Sequence, residues 1–522
     1  MPDGSRTTRE AMRASSVFAG LIGISVVLPP VVGASPYPGF TLYSPFGSTS
    51  TFMVDEDNDE VLSWTHDRSG GYAVYLLPNG NIIRPALSTT SALNGGGAAG
   101  LVQIWNPNSV KVWQYQYATS TVRSHHDIAP MPNGNVLLIA WELKTAAQAV
   151  QAGLDHSAEM WPDHIVEIDP VGSSGGNIVW KWHAWDHLIQ DHDPTKDNYG
   201  VVEDHPELLD VNLNGGGLGG GDWMHVNGIS YNPEWDQIVF SSHTLNEVYV
   251  IDHSTTTAEA AGHTGGNSGQ GGDLLYRWGN PDNYGAPGSE YFHVVHCSVW
   301  IPENYPGGRH LMAFNNREGQ GTSIVAEWIP PADTHGHYIQ PLPGAAFGPA
   351  APSWTYTASG FYSSHLGGCQ RLPNGNTMIA ESMSGNLFEV NAAGAIQWSY
   401  TPGGQIPRVL RYGMNDPGII ALGLSSGVDP DPEGVPQLRL AQNSPNPFRS
   451  ETTIGYELPV EGHATLKIYD VLGQAVATLL DGPETAGPSS VLFDASGLGR
   501  GIYFYRLVAA DRSETRKLIV HE

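Results

Sequence analysis

"SHHDIAPMPNGNVLLIAWE", residues 124–142, sets two histidines and an aspartate just ahead of a Pro-Asn-Gly-Asn turn that runs into an apolar strand. Proline presets its φ, and Asn-Gly tolerates the positive φ of a tight reversal, so the segment reads as strand, turn, strand. The same turn returns in "LLPNGNIIR" (76–84) and "RLPNGNTMIAES" (371–382), with looser versions in "YNPEWDQIVFSS" (231–242) and "WIPENYPGGRHLMAFNN" (300–316). An apolar hairpin ending in tryptophan follows each turn, as in "LVQIWNPNSVKVWQY" (101–115) and "NLFEVNAAGAIQWSY" (386–400). Four short strands per recurring unit describe the blades of a β-propeller. Five units are complete. The hairpin "TFMVDEDNDEVLSWTH" (51–66) stands alone, and "IPRVLRYGMNDPGIIALG" (406–423) supplies inner strands for it. The expected fold is therefore all-β, a six-bladed propeller over 40–425 whose last blade is shared between the two ends of the domain. The strand that enters each turn is the inner one, so residues just before the turn face the axis.

The chain of 522 residues suits such a domain, and its 63 glycines and 38 prolines fit a turn-rich β-protein. A formal charge of −28 repels phosphate backbones, so no nucleic-acid partner is expected. Residues 1–34 read as a signal peptide: Arg6, Arg9 and Arg13 precede the run "VFAGLIGISVVLPPVVGA", with Val32 and Ala34 placed for cleavage before Ser35. Only Cys297 and Cys369 are present, so the exported fold does not depend on disulfides; they are either a pair bridging adjacent inner strands or two separate buried thiols. "DEDNDE" (55–60) reads as a solvated acidic hairpin tip, since it lacks the glycine and closing glutamate of a calcium loop. The Gly-rich "NGGGAAG", "NGGGLGGG" and "GHTGGNSGQGG" read as blade insertions. Neither Gly-x-Ser-x-Gly nor His-Glu-x-x-His occurs, which removes the commonest hydrolase readings.

A polar Pro/Gly segment over 426–437 reads as a linker, and alternating strands such as "ATLKIYDV" and "GIYFYRLVA" predict a small β-sandwich over 438–522. That last region carries "NSPNPF" (443–448), "TTIGYELP" (452–459), "LKIYDVLGQAVATLL" (466–480) and "ASGLGRGIYFYRL" (495–507), and it resembles the C-terminal sorting domain of the type IX secretion system. The resemblance implies recognition by that secretion machinery, export across the outer membrane, and a secreted or cell-surface protein.

Several inner strands carry histidine: His125 and His126, His225 in "DWMHVNGISYNP", His293 and His296 in "EYFHVVHCSVWIPE", and His365 in "SSHLGGCQRLPNGN". Propeller geometry delivers them to one axis, where they either line a wet channel or form a site. On "HHD" (125–127), "DHIVEID" (163–169), "HVNGISYNP" (225–233), "SSHTLNEVYVID" (241–252) and the His296 strand, the chain over about 50–420 resembles the arylsulfate sulfotransferase family. The resemblance implies a sulfuryl group passed from an aryl sulfate ester to a phenol, without cofactor, through a histidine that attacks sulfur. By motif position that nucleophile is His296, supported by His225 and by His125 or His126. The family's arginine in "SSR" is replaced here by His243. His lacks the permanent planar charge of Arg, so a different cation is expected at the sulfate, and the candidates are Arg123, Arg317 and Arg411 beside His243 and His365. Two other classes compete: a noncatalytic surface scaffold, and a metal-binding propeller whose converging imidazoles hold a transition ion. No carboxylate and histidine stand at a spacing typical of metal sites, so no metal ligands are expected.

Overall fold

The computed structural model describes residues 35–425 and 438–521, except 71, 90–91, 218–219, 444, 459, 471–473 and 510–511. The expected signal peptide (1–34) and linker (426–437) lie outside the described residues. The chain divides into two compact units, 1–427 and 428–522.

In the first unit, six four-stranded antiparallel sheets follow one another. Blade 1 holds Tyr75–Leu76, Ile82–Leu87, Gly100–Trp105 and Lys111–Gln116, and blade 2 holds Val122–Pro130, Val136–Glu142, Asp163–Val171 and Gly175–His183. Blade 3 holds Val226–Asn232, Gln237–Ser242, Glu247–Asp252 and Tyr276–Trp278. Blade 4 holds Val295–Trp300, Leu311–Asn315, Ile324–Trp328 and Trp354–Tyr356, and blade 5 holds Gly368–Arg371, Thr377–Glu381, Asn386–Val390 and Ile396–Tyr400. Blade 6 begins with Val409–Gly413 and continues with Gly39–Tyr43, Ser50–Val54 and Glu60–Thr65. Segment 406–423 thus contributes one strand and a short helix, Pro417–Ala421, and Gly39–Tyr43 is a strand the sequence reading did not assign.

Burial explains the sequence pattern across a blade. Strands sandwiched between neighbouring sheets are covered on both faces and read as unbroken apolar runs, such as the "VLLIAW" of Val136–Glu142. Outer strands such as Lys111–Gln116 alternate with solvent. Each junction between consecutive sheets has its own apolar core. Ile83, Val102, Leu138 and Val166 join blades 1 and 2; Ile139, Trp182, Phe240 and Tyr249 join 2 and 3; Val239, Trp278, Leu311 and Trp328 join 3 and 4. Met312, Phe314, Ile379 and Phe388 join blades 4 and 5. Tyr43, Val54, Met378 and Leu387 join 5 and 6, and Leu42, Met53, Leu76 and Ile82 join 6 back to 1. Cys297 and Cys369 are both free and buried, in the inner strands of blades 4 and 5, with the Cys369 N–H donating to Cys297 Sγ at 3.3 Å.

The second unit is a β-sandwich. One sheet holds Arg439–Leu440, Glu451–Leu458 and Gly487–Asp494; the other holds Ala475–Glu484, Gly462–Tyr469, Gly501–Ala509 and Arg512–Val520. Alternate residues face inward, and Ile454, Leu466, Tyr505 and Leu507 meet in its core.

Candidate active site

At the axis the sheet ladders break at the same place in three blades. Register shifts between Ser124 and Ile128 in blade 2, between Val226 and Gly228 in blade 3, and between His296 and Val299 in blade 4. His126 and Cys297, within two of these breaks, and His225, just ahead of the third, hold left-handed backbone at φ 49°, 57° and 50°. A bulge re-aims side chains that the ladder would otherwise fix. Left-handed non-glycine backbone costs about 1–3 kcal/mol per residue and clusters where function needs a particular geometry.

The bulges gather five imidazoles into a continuous chain. His125 Nδ1 lies 2.8 Å from His126 Nδ1. The ring centroid of His126 is 4.6 Å from that of His225, His225 is 4.8 Å from His243, and His243 is 5.6 Å from His296. Tyr72 covers His126 at 4.7 Å and Phe46 leans on Tyr72 at 5.0 Å. Phe46, Tyr72, Leu87 and Gly95–Gly97 line an adjoining cleft of about 360 Å³.

His296 is the most constrained of the five. Its Nδ1 is 2.6 Å from Asn316 Oδ1, and the Asn316 amide donates to the carbonyls of Ser363 and Leu366. That orientation makes Asn316 Oδ1 an acceptor, so His296 carries its proton on Nδ1 and its lone pair on Nε2. The Leu366 N–H donates to that Nε2 lone pair at 3.3 Å, a long bond that an incoming electrophile has to displace. Burial, reinforced by the charge of Arg408, holds the His296 pKa well below its ordinary value, so the ring is neutral. Burial likewise lowers His125 and His243 to about 3 and takes His126 well below its usual range. His225 goes the other way. Burial opposes its charge, but the 2.6 Å hydrogen bond from Nδ1 to Asp222 and the charge of Asp222 outweigh it and raise the pKa. Trp141 fixes the other oxygen of Asp222, with Nε1 donating at 2.8 Å. His125 Nε2 approaches Asp163 Oδ1 at 2.9 Å, off the hydrogen-bonding direction, and burial pushes the Asp163 carboxyl well above the usual carboxylate range.

The structure brings His125, His126, His225, His243 and His296 together and places His365 at the rim, exposed, with its charge felt by His243. The three arginines expected at the sulfate are engaged elsewhere. Arg123 is tied to the carbonyls of Ala92 and Ala99 and to Asn94. Arg317 is held by Gln320 and Thr322 in its own loop. Arg411 is buried in an ion pair with Glu389 Oε2 at 2.6 Å and stacks on Trp398, because it sits on the closing sheet's inner strand with its side chain turned between blades 5 and 6. His243, neutral through burial, is not the resident cation either.

Another cation stands near the imidazoles that was not among those expected, Arg408. It is buried, pairs with Asp127 Oδ2 at 2.6 Å, and its charge is felt by His296. Asp127, Asp222 and Asn316 were missed as supporting groups too, although all three lie in stretches quoted for their turns or histidines. Nor is "NGGG" a plain insertion. A Cβ on Gly97 would fall 2.2 Å from the His126 ring and one on Gly96 would fall 3.1 Å from His225 Cε1, so the glycines let the loop close over the imidazoles. The "H-x-N" spacing of 225–227 also has a reason: Asn227 Nδ2 donates to the Val295 carbonyl at 2.7 Å, clamping the blade 3 bulge to the His296 strand.

Six sheets around an axial imidazole cluster define a propeller with a buried polar site. The chain belongs to the arylsulfotransferase family: the model described as Arylsulfotransferase (ASST) matches residues 111–401, more than half its length. A second model, Secretion system C-terminal sorting domain, matches residues 444–521 and marks the chain for export to the cell surface or outer membrane. No curated protein matches. Among solved structures the chain is similar to a protein of unknown function from Bacteroides caccae, with 11% identity over 72% of this chain and 98% of that one and a TM-score of 0.39. It is also similar to PorZ, a surface component of the type-IX secretion system of Porphyromonas gingivalis, with 10% identity over 92% of this chain and 50% of that one and a TM-score of 0.28. For the Dos1 propeller the identity is 9% over 81% of this chain and 90% of that one, with a TM-score of 0.30.

Proposed function

We propose that the axial imidazoles transfer a sulfuryl group from an aryl sulfate ester to a phenol through a sulfohistidine at His296. The observation that carries this reading is the His296–Asn316 contact, which leaves a neutral ring with its lone pair on Nε2 beside the other imidazoles. In the first half-reaction Nε2 attacks sulfur, the sulfur–oxygen bond to the aryl group breaks, and the phenoxide leaves. The ring then carries positive charge, which Asn316 Oδ1 stabilises through Nδ1–H. His225, held protonated by Asp222, gives the phenoxide its proton from Nε2, a nitrogen with no protein acceptor among the described residues. In the second half-reaction an acceptor phenol attacks sulfur, the sulfur–nitrogen bond breaks, and the phenol proton restores His225. The aromatic cleft of Phe46 and Tyr72 suits a phenol entering beside His126. Arg408 supplies a second, fixed cation, partly balanced by Asp127. Export follows from a signal peptide at 1–34 and from recognition of 438–522 by the type IX machinery.

The test is turnover of para-nitrophenyl sulfate with phenol as acceptor, together with intact-protein mass analysis after donor alone. The wild type is expected to release nitrophenol and to trap one acid-labile SO3 group on the peptide containing His296. His296→Ala, which removes little buried apolar area, should fold normally and lose both signals. A wild type inactive on every aryl sulfate, with no adduct, would reject sulfuryl transfer in favour of a noncatalytic surface propeller.

A further inference from the structure

Away from the axial imidazoles, where blade 2 meets blade 1, a second group of side chains converges. Glu142 ends its strand, His164 lies in the next, and His183 ends the one after. His164 is paired in register with Ala140 on one side and His183 on the other, so the period-two alternation puts Glu142, His164 and His183 on one face of the sheet. Their ligand atoms all lie within 4.8 Å of one another, and Glu142 Oε1 is 3.1 Å from His183 Nδ1.

We propose that Glu142, His164 and His183 bind a divalent transition-metal ion of the zinc class. The independent observation is His164. The residue is fully buried, its Nε2 lies 2.9 Å from the Tyr117 hydroxyl, and its Nδ1 has no hydrogen-bond partner among the described residues. A buried imidazole nitrogen left unpaired is costly, and His164 shares its group of ligand atoms, all within 4.8 Å, with Glu142 and His183. With Nε2–H donating to the Tyr117 oxygen, the lone pair falls on Nδ1, which is how a ligating histidine is oriented from its outer side. Zinc holds imidazole nitrogen at about 2.0–2.1 Å, so binding requires side-chain rotation to bring the three donors onto one ion. Two imidazoles and one carboxylate select a borderline transition ion over calcium or magnesium, which prefer all-oxygen shells. Lys144 occupies Glu142 Oε2 at 3.0 Å and leaves Oε1 to the ion. His183, with a side chain 28% exposed, opens the site to solvent for entry of the ion and for a water in the fourth position.

The sequence reading found no metal spacing because the three ligands come from three strands and meet only through sheet register. The test uses full-length protein stripped with chelator and then dialysed against Zn²⁺, with bound zinc and melting temperature as readouts. Wild type should retain one tightly bound zinc per chain and melt higher with it. His183→Ala and Glu142→Gln, both at partly exposed positions that leave the core intact, should lose that equivalent, and His296→Ala should keep it. Tyr117→Phe, a positioning change, should weaken zinc about 10–100-fold without loss of fold. A wild type that retains no zinc, or one whose zinc survives both His183→Ala and Glu142→Gln, overturns the proposal.

Discussion

His225 sets the charge of the axial site, and its partner Asp222 sets His225. Asp222 and Asp163 face it as acids, and His126 and His243 face it as neutral rings. Its raised pKa means the proton is held above the ordinary value of 6.5 and lost as pH climbs through the folded value. His243 and His296, both held low by burial, contribute no alkaline limb. Aryl sulfate turnover should therefore fall with rising pH through the His225 pKa. Asp222→Asn should move that fall to lower pH and cut the rate near neutrality about 10²–10⁴-fold, the usual worth of a positioned general acid. A pH–rate profile of the two proteins decides it, and an unmoved limb would take His225 out of the proton transfer. The histidines were legible in the sequence because each precedes a recognisable turn. Asp222, Asn316 and Arg408 were not, because they reach the axis from a loop end, a second strand and the approach to the closing strand, and share no pattern with one another.

The inner strands do two jobs that pull against each other, since pairing wants an unbroken ladder and the site wants side chains turned off it. Bulges at 125–127, 227 and 297–298 resolve the conflict, and loops supply what the strands cannot. Alternation and turn spacing made the strands readable from sequence, but a bulge depends on register with a partner strand and leaves little local signature. The same holds for Gly39–Tyr43, whose "GFTLY" has no turn signal of the recurring kind, yet it pairs residue for residue with Val409–Gly413. Gly39 is required there: its φ is 153° and a Cβ would sit 2.2 Å from the Tyr412 carbonyl oxygen. Gly39→Val should destabilise the first unit by about 1–3 kcal/mol through backbone strain and overpacking at the closing pair. All 15 tryptophans precede residue 438, so tryptophan fluorescence during urea unfolding reports that unit alone. An unchanged midpoint would mean that the pairing of the two ends contributes nothing to holding the ring.

Across the whole molecule an excess of acidic residues, −28 in formal charge, accompanies a site we propose to take an anion. Long-range steering therefore disfavours the substrate, and binding has to come from short-range groups inside the propeller. Asp127 organises those groups. It accepts from Tyr75 at 2.7 Å in blade 1 and from Arg408 at 2.6 Å beside blade 6, while the Ile229 N–H of blade 3 approaches at 3.3 Å. One carboxylate of blade 2 thus ties four blades at the axis, which is visible only once the ring has closed and not from "HHD" as a motif. A buried ion pair is worth little over an apolar substitute, but breaking it strands a charge in a dry interior. Asp127→Ala should therefore cost about 3–5 kcal/mol in the fluorescence-detected urea midpoint, by leaving Arg408 unpaired. Asp127→Ala combined with Arg408→Met removes both charges and should recover much of that loss, although turnover stays low without the fixed cation. If the double variant is as unstable as the two single losses added together, the pair is not coupled, and the junction of the blades rests on the apolar cores between the sheets alone.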